Sequence, residues 1–238
     1  MFARYAYAPN ALGFCGPPGT PALRGGSPDE VRAAARQFSG AWPYLRVMAR
    51  LCDIRDPLDG RIVESYWHGG GLGATLDRAE FLRELLAVIG PMAGHYWTHL
   101  TGALTEEAAP DHGFHVFGVY PWTRLLGRSA NATAVHVLDS CRITGALVVA
   151  RDGAELTVRS RPLTWDGRYL TLSAPALRRI ALFADDYCAV PDARPGDIVA
   201  LHWDRLCGRL TPDQITDLST STDRQLETTN RRLNRRPT

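Results

Sequence analysis

The chain has 238 residues, 45% of them hydrophobic, with 27 basic and 25 acidic side chains for a formal net charge of +2. That length allows a real core in one or two domains, and the near-balanced charge argues against general nucleic-acid binding through phosphates. No run approaches the ~18 consecutive apolar residues of a membrane helix, and Met1-Phe2-Ala3-Arg4 lacks the charged-then-apolar layout of a signal peptide, so a cytoplasmic protein without a membrane span is expected.

Five cysteines, Cys15, Cys52, Cys141, Cys188 and Cys207, are an odd number at wide spacing. Reduced thiols are therefore expected, and any thiol with a role is a ligand or a nucleophile. Residues 1 to 26 carry Tyr5, Tyr7, Pro9, Asn10, Gly13, Gly16, Pro17 and Gly19. This is too much punctuation for a regular element and too many aromatics for a disordered tail, which predicts an ordered loop packed on the body. Within it, Cys15 reads either as a reactive thiol at a tight turn or as a small buried residue.

From Ser27 the pattern is helical. Ser27-Pro28-Asp29-Glu30 is a capping box with proline at the first helical position. Asp56-Pro57-Leu58-Asp59 repeats much of that grammar ahead of Ile62, Val63, Tyr66 and Trp67. Asp77-Arg78-Ala79-Glu80 does so ahead of Phe81, Leu82, Leu85, Leu86 and Ile89, with Gly90-Pro91 as the stop. Together with Trp42 to Leu51 and Met92 to Leu104, these segments predict about five short amphipathic helices on one core.

His95 and His99 are spaced to share one helix face, and His112 and His115 follow within Asp111-His112-Gly113-Phe114-His115. Four imidazoles in so short a stretch make a candidate metal cluster. The residue after His95 is Tyr96, so the glutamate of a zinc-protease helix is missing. His115 leads an apolar segment, Val116 to Trp122, that is expected to run through the core.

After Asp139 the period alternates. Cys141 to Ala150, Glu155 to Arg161, Leu163 to Trp165, Arg168 to Ser173, Leu177 to Phe183 and Asp197 to Trp203 read as strands, with Asp152-Gly153 and Asp166-Gly167 as hairpin turns. So many short strands predict a small OB-like β-barrel, because closure removes exposed edges. Thr211-Pro212-Asp213-Gln214 is another capping box, and the helix it opens leads to a solvated end containing Arg231, Arg232, Arg235 and Arg236. The expected protein is α+β: an α-helical domain with an ordered N-terminal loop (1–138), a β-barrel with a C-terminal helix (139–230) and a basic tail (231–238).

Three segments carry a resemblance: Cys141-Arg142-Ile143-Thr144-Gly145, Pro195-Gly196-Asp197-Ile198-Val199-Ala200-Leu201-His202, and Leu210-Thr211-Pro212-Asp213-Gln214-Ile215. In that order they resemble the HypC/HybG/HupF-type maturation chaperones of nickel-iron hydrogenases. That family has a cysteine opening its first strand, a small barrel, a Gly-Asp-x-Val-x-x-His strand and a trailing helix. Here Cys141 is internal rather than N-terminal, and Thr144 stands where the family has proline before the glycine. The first 138 residues resemble an uncharacterised actinobacterial family associated with hydrogenase gene neighbourhoods.

The resemblance implies that Cys141 and His202 hold an iron centre with cyanide and carbonyl ligands. It also implies partners in the hydrogenase large-subunit precursor or other maturation factors. A thiolate and an imidazole suit a soft or borderline ion. The expected function is thus an accessory protein that holds or relays iron through a Cys-His pair, with His115 or Cys15 able to complete the site. The alternative is a metal-dependent enzyme using His95, His99, His112 and His115, producing or installing a diatomic ligand of the iron. A third reading, a binding module with Cys141 and His202 in its core, predicts that neither cluster forms.

Overall fold

The computed structural model describes residues 1–92, 98–127, 131–184 and 186–235. Residues Phe2–Ala11 form a helix, α1, where the sequence predicts a loop. Burial of Phe2, Tyr5, Ala6 and Tyr7 against the core outweighs the punctuation. Pro9 sits inside the helix and has no N–H, so the Tyr5 carbonyl one turn earlier is left without its helical donor. The segment after α1 is ordered: the buried Asn10 side chain donates to the carbonyls of Cys15 (2.9 Å) and Pro17 (2.7 Å) and accepts from the Thr20 N–H (3.1 Å).

The next four helices are α2 (Pro28–Ala35), α3 (Ala41–Leu51), α4 (Gly60–His68) and α5 (Arg78–Ile89). Ser27 and Glu30 form the predicted capping box, and Asp77 caps α5. Asp59 caps α4, while Asp56 pairs with both ends of the Arg32 guanidinium at 2.6 and 2.8 Å. The predicted helix over Met92 to Leu104 is not formed in its described part, which contains a 3-10 turn at Gly102–Leu104 capped by the Thr101 hydroxyl. A one-turn helix, α6 (His112–Phe114), runs into a π turn at His115–Val119, and α7 spans Asn131–Cys141. Cys141 therefore ends a helix instead of opening a strand.

The strands are β1 (Thr144–Asp152), β2 (Glu155–Ser160), β3 (Leu163–Trp165), β4 (Leu170–Leu172), β5 (Ala176–Ala181), β6 (Ile198–His202) and β7 (Arg205–Arg209). Five of them form one antiparallel sheet in the order β5-β2-β1-β6-β7, and β3 pairs with β4. The sheet is open: among the described residues β5 and β7 are its edges, where the strand count predicts a closed OB-like barrel. Closure is unnecessary because α1 packs against β6 and β7. Strand β7 is not anticipated by the sequence. It is reached through a two-residue turn in which Trp203 (φ 51°) and Asp204 (φ 57°) are both left-handed, without the glycine or asparagine that usually announces such a hairpin.

Helix α8 (Pro212–Asn234) opens with the predicted capping box and runs back across the molecule. Asn230 pairs with both the N–H and the carbonyl of Leu170 on β4. The helix absorbs the start of the expected basic tail, and the half-buried Arg232 pairs with the buried Glu107 at 2.5 Å. One hydrophobic cluster joins Tyr5, Tyr44, Tyr66 and Phe114 to Ala200 and Cys207 of the sheet, so the helical half and the sheet share a core. The molecule is α+β, and no helix among the described residues is long and apolar enough to cross a membrane.

Candidate metal centre

Where α1, α4, α6, α7 and the end of β6 meet, they enclose a cavity of 510 Å3. Its walls include Phe38, Tyr66, Trp67 and Trp122, and Phe14 and Trp203 close one side with rings stacked at 4.2 Å. Phe14 is 58% exposed, which puts this aromatic pair at the solvent boundary. Into this apolar space project Cys15, His112, His115, Cys141 and His202.

His202 closes β6 and is 1% exposed. Its Nδ1 lies 2.8 Å from the Tyr5 carbonyl, the one released by Pro9. A carbonyl only accepts, so Nδ1 carries the proton and Nε2 presents its lone pair. That Nε2 is buried and has no hydrogen bond of ordinary geometry, although the Cys141 carbonyl lies near enough to favour its protonated form. Metal-binding histidines are oriented in this way, one nitrogen tied to a carbonyl and the other left for the ion.

His112 follows Asp111, whose carboxylate caps the Phe114 N–H at 2.8 Å and accepts from the Ser221 hydroxyl of α8 at 2.8 Å. Its Nε2 lies 2.8 Å from the Cys141 carbonyl, and Nδ1 lies 3.2 Å from the Tyr66 hydroxyl. The Cys141 carbonyl belongs to the last turn of α7 and is free to accept. Cys141 is drawn in by the same terminus, because the Trp203 backbone N–H donates to Ser140 O at 2.8 Å. One ring nitrogen of His112, the Cys141 sulfur and one ring nitrogen of His202 lie within 4.8 Å of one another. Loading a metal requires His112 to exchange one of its two hydrogen bonds for the ion.

The other predicted residues divide. His115 shares the cavity, with its ring stacked on His112 at 5.7 Å and Nδ1 unpartnered. Cys15 also shares it, and its sulfur accepts from the Tyr120 hydroxyl. His99 does not line this cavity: its Nε2 is 2.9 Å from the Val119 carbonyl, and it borders a charged pocket with Glu106, Arg232 and Arg235. His95 lies outside the described residues. Thus His99 separates from His112 and His115, and His112 joins the pair read from the second half. Sequence reasoning missed the supporting groups Tyr5, Tyr66, Tyr120 and Trp203, none of which belongs to a ligand-spacing pattern.

Burial sets the electrostatics. It pushes His202 down to about 4 and His115 down to about 3, and holds His112 well below its ordinary value with help from the neighbouring His202 and His115. The imidazoles are therefore neutral and their lone pairs available at neutral pH. Burial also pushes the Cys141 thiol up to about 12. The Trp203 indole N–H has no hydrogen bond of ordinary geometry, yet it lies close enough to the Cys141 sulfur to offset part of that rise. A bound cation would replace the thiol proton.

Two imidazoles and a thiol suit zinc, iron(II), cobalt(II) or copper rather than magnesium or calcium. The buried Nε2 of His202, without a hydrogen bond of ordinary geometry, fits such an ion, and three protein donors leave coordination positions open. Trp203 in the left-handed region places a strained residue at the cavity wall, as functional sites often do.

Residues 1–236 match a protein family of unknown function, DUF6390. No curated protein and no solved structure matches the chain.

Proposed function

We propose, for a chain that belongs to the DUF6390 family, that the protein holds or relays an iron species as an accessory factor of nickel-iron hydrogenase maturation. The observation that carries the metal-holding part is the grouping of one ring nitrogen each of His202 and His112 with the Cys141 sulfur within 4.8 Å, while the buried Nε2 of His202 makes no hydrogen bond of ordinary geometry. The hydrogenase context rests on the resemblance of Cys141 to Gly145, Pro195 to His202 and Leu210 to Ile215 to the HypC-type chaperones. In that reading, β1 to β7 and α8 are the counterpart of the family's barrel and trailing helix.

Iron is cargo here. Imidazoles and a thiolate satisfy part of its coordination sphere, and the open positions accept ligands that travel with it or a donor from the receiving protein. A cavity of 510 Å3 exceeds the space of one ion many times over and accommodates iron carrying cyanide and carbonyl groups. Its walls are largely apolar and aromatic, and a large-subunit precursor or another maturation factor would gain access past the stacked Phe14 and Trp203 at the solvent boundary.

The test is metal content and infrared absorption of protein purified without oxygen from a host carrying hydrogenase assembly genes, beside Cys141→Ala and His202→Ala. Iron with cyanide and carbonyl stretches, lost in both variants, is the expected result. Metal without those bands would overturn the hydrogenase part, and metal retained by both variants would overturn the site.

A further inference from the structure

Resting on the metal-holding part of that reading, the geometry points to Cys15 as a fourth protein ligand, so that a bare divalent ion is held by His112, Cys141, His202 and Cys15. Charge makes the case. The residues lining the cavity include no aspartate or glutamate. A divalent ion bound by two neutral imidazoles and one thiolate would leave a net positive charge in an apolar enclosure, where unpaired charge is expensive. A second thiolate removes it.

Cys15 is the other thiol of this cavity, and its surroundings hold it in place. The segment that carries it is tied to the buried Asn10 by three hydrogen bonds, two from the side-chain amide to the Cys15 and Pro17 carbonyls. Gly16 has φ 76°, and a Cβ there would meet the Phe38 ring at 2.5 Å, so the backbone is pressed onto the cavity wall at a position where only glycine fits. The sulfur receives the Tyr120 O–H, as Cys141 faces the Trp203 N–H, and donors of this kind support a metal-bound thiolate. Cys15 raises the proton affinity of Cys141, which places the two thiols within electrostatic reach in the shared cavity. The Cys15 sulfur is not among the donor atoms that lie within 4.8 Å of one another, so loading the ion requires it to move toward them.

His115 is the competitor, since its Nδ1 is also unpartnered. It is neutral and so cannot offset the charge. Its other nitrogen is pressed against Gly40, where an added Cβ would lie 2.8 Å from Nε2.

Cobalt(II) titration of the full-length protein under argon tests the assignment, because the near-ultraviolet sulfur-to-cobalt charge-transfer absorption scales with the number of bound thiolates. Cys15→Ser and Cys141→Ser are each expected to lose about half of that absorption, the double variant all of it, and Cys52→Ser none. In parallel, cobalt loading of the wild-type protein should protect both Cys15 and Cys141 from alkylation by N-ethylmaleimide, which keeps the test independent of how the variants fold. Wild-type charge transfer unchanged in Cys15→Ser, with Cys15 still alkylated in the loaded protein, overturns the fourth ligand and leaves the three-donor site standing. Absence of any cobalt spectrum in the wild type overturns both.

Discussion

His202 and Tyr5 meet through a single bond, 2.8 Å from imidazole Nδ1 to backbone carbonyl, and that bond exists because of a third residue. Within α1 the Tyr5 carbonyl would ordinarily accept from the N–H of residue 9. Proline there leaves it free. A helix flaw in the first ten residues thus sets the tautomer of a histidine that closes a strand at the other end of the chain.

Replacing that proline tests the coupling. Pro9→Ala restores a donor that recaptures the Tyr5 carbonyl, so helix content should hold or rise while His202 loses its orienting partner. Losing the partner of a ligating histidine's other ring nitrogen typically weakens metal binding by about 10–100-fold, and a fall of about tenfold in cobalt(II) or zinc affinity is expected. Unchanged affinity with unchanged helicity would show that the carbonyl does not orient the ring.

The buried imidazoles also predict how stability follows pH. His202 and His68 are depressed to about 4 and His115 to about 3, each chiefly by burial. Unfolded histidines titrate near 6.5, so below that pH the unfolded state binds more protons than the folded one and stability falls. The decline should run from about pH 6.5 down to about pH 4, with a slope of up to ~1.4 kcal/mol per pH unit for each histidine. Urea midpoints of the metal-free protein between pH 7.5 and pH 4.5 measure it; a flat profile would mean that these rings are solvated.

What the sequence reveals of the site is local. Cys141 and His202 stand out by residue type at the ends of predicted elements, and the structure brings them together. Yet Cys141 arrives on the end of α7, because the strand pattern begins only at Thr144. His112 reads from spacing as a companion of His95 and His99, but its place is set by contacts far along the chain: Asp111 with Ser221, and its own ring with Cys141. Capping boxes at Ser27 and Thr211 are legible because both partners lie within four residues. Helix α1 and strand β7 are not, since burial stabilises the first against its own proline and an unusual Trp-Asp turn begins the second.

The end of α8 gives a sharp contrast between neighbours. Arg232 pairs with the buried Glu107, which also receives the Thr229 hydroxyl at 3.4 Å, while Arg231 reaches only the exposed Glu227. Removing Arg232 leaves the buried Glu107 carboxylate uncompensated, so Arg232→Ala should cost about 3–5 kcal/mol, and Glu107→Ala less, because the half-buried guanidinium still donates to Phe117 O and Thr123 Oγ1. Arg231→Ala should stay within about 0.5 kcal/mol. Urea denaturation of the three variants decides whether the last turn of α8 is structural or a solvated tail.

Metal uptake should itself release thiol protons. With Cys141 pushed up to about 12, its sulfur is protonated across the whole range in which the protein is studied, and a bound ion must displace that proton. The neutral histidines release none above about pH 6. Apparent affinity should therefore rise about tenfold per pH unit between pH 6.5 and pH 8.5 if one thiol binds, and about a hundredfold if Cys15 binds as well. Calorimetric titration in buffers of different ionisation enthalpy counts the protons directly: two released per ion in the wild type and one in Cys15→Ser is the expected pair of results. Release of none would mean that the ion sits on nitrogen alone, and Cys141 would lose its place as a ligand.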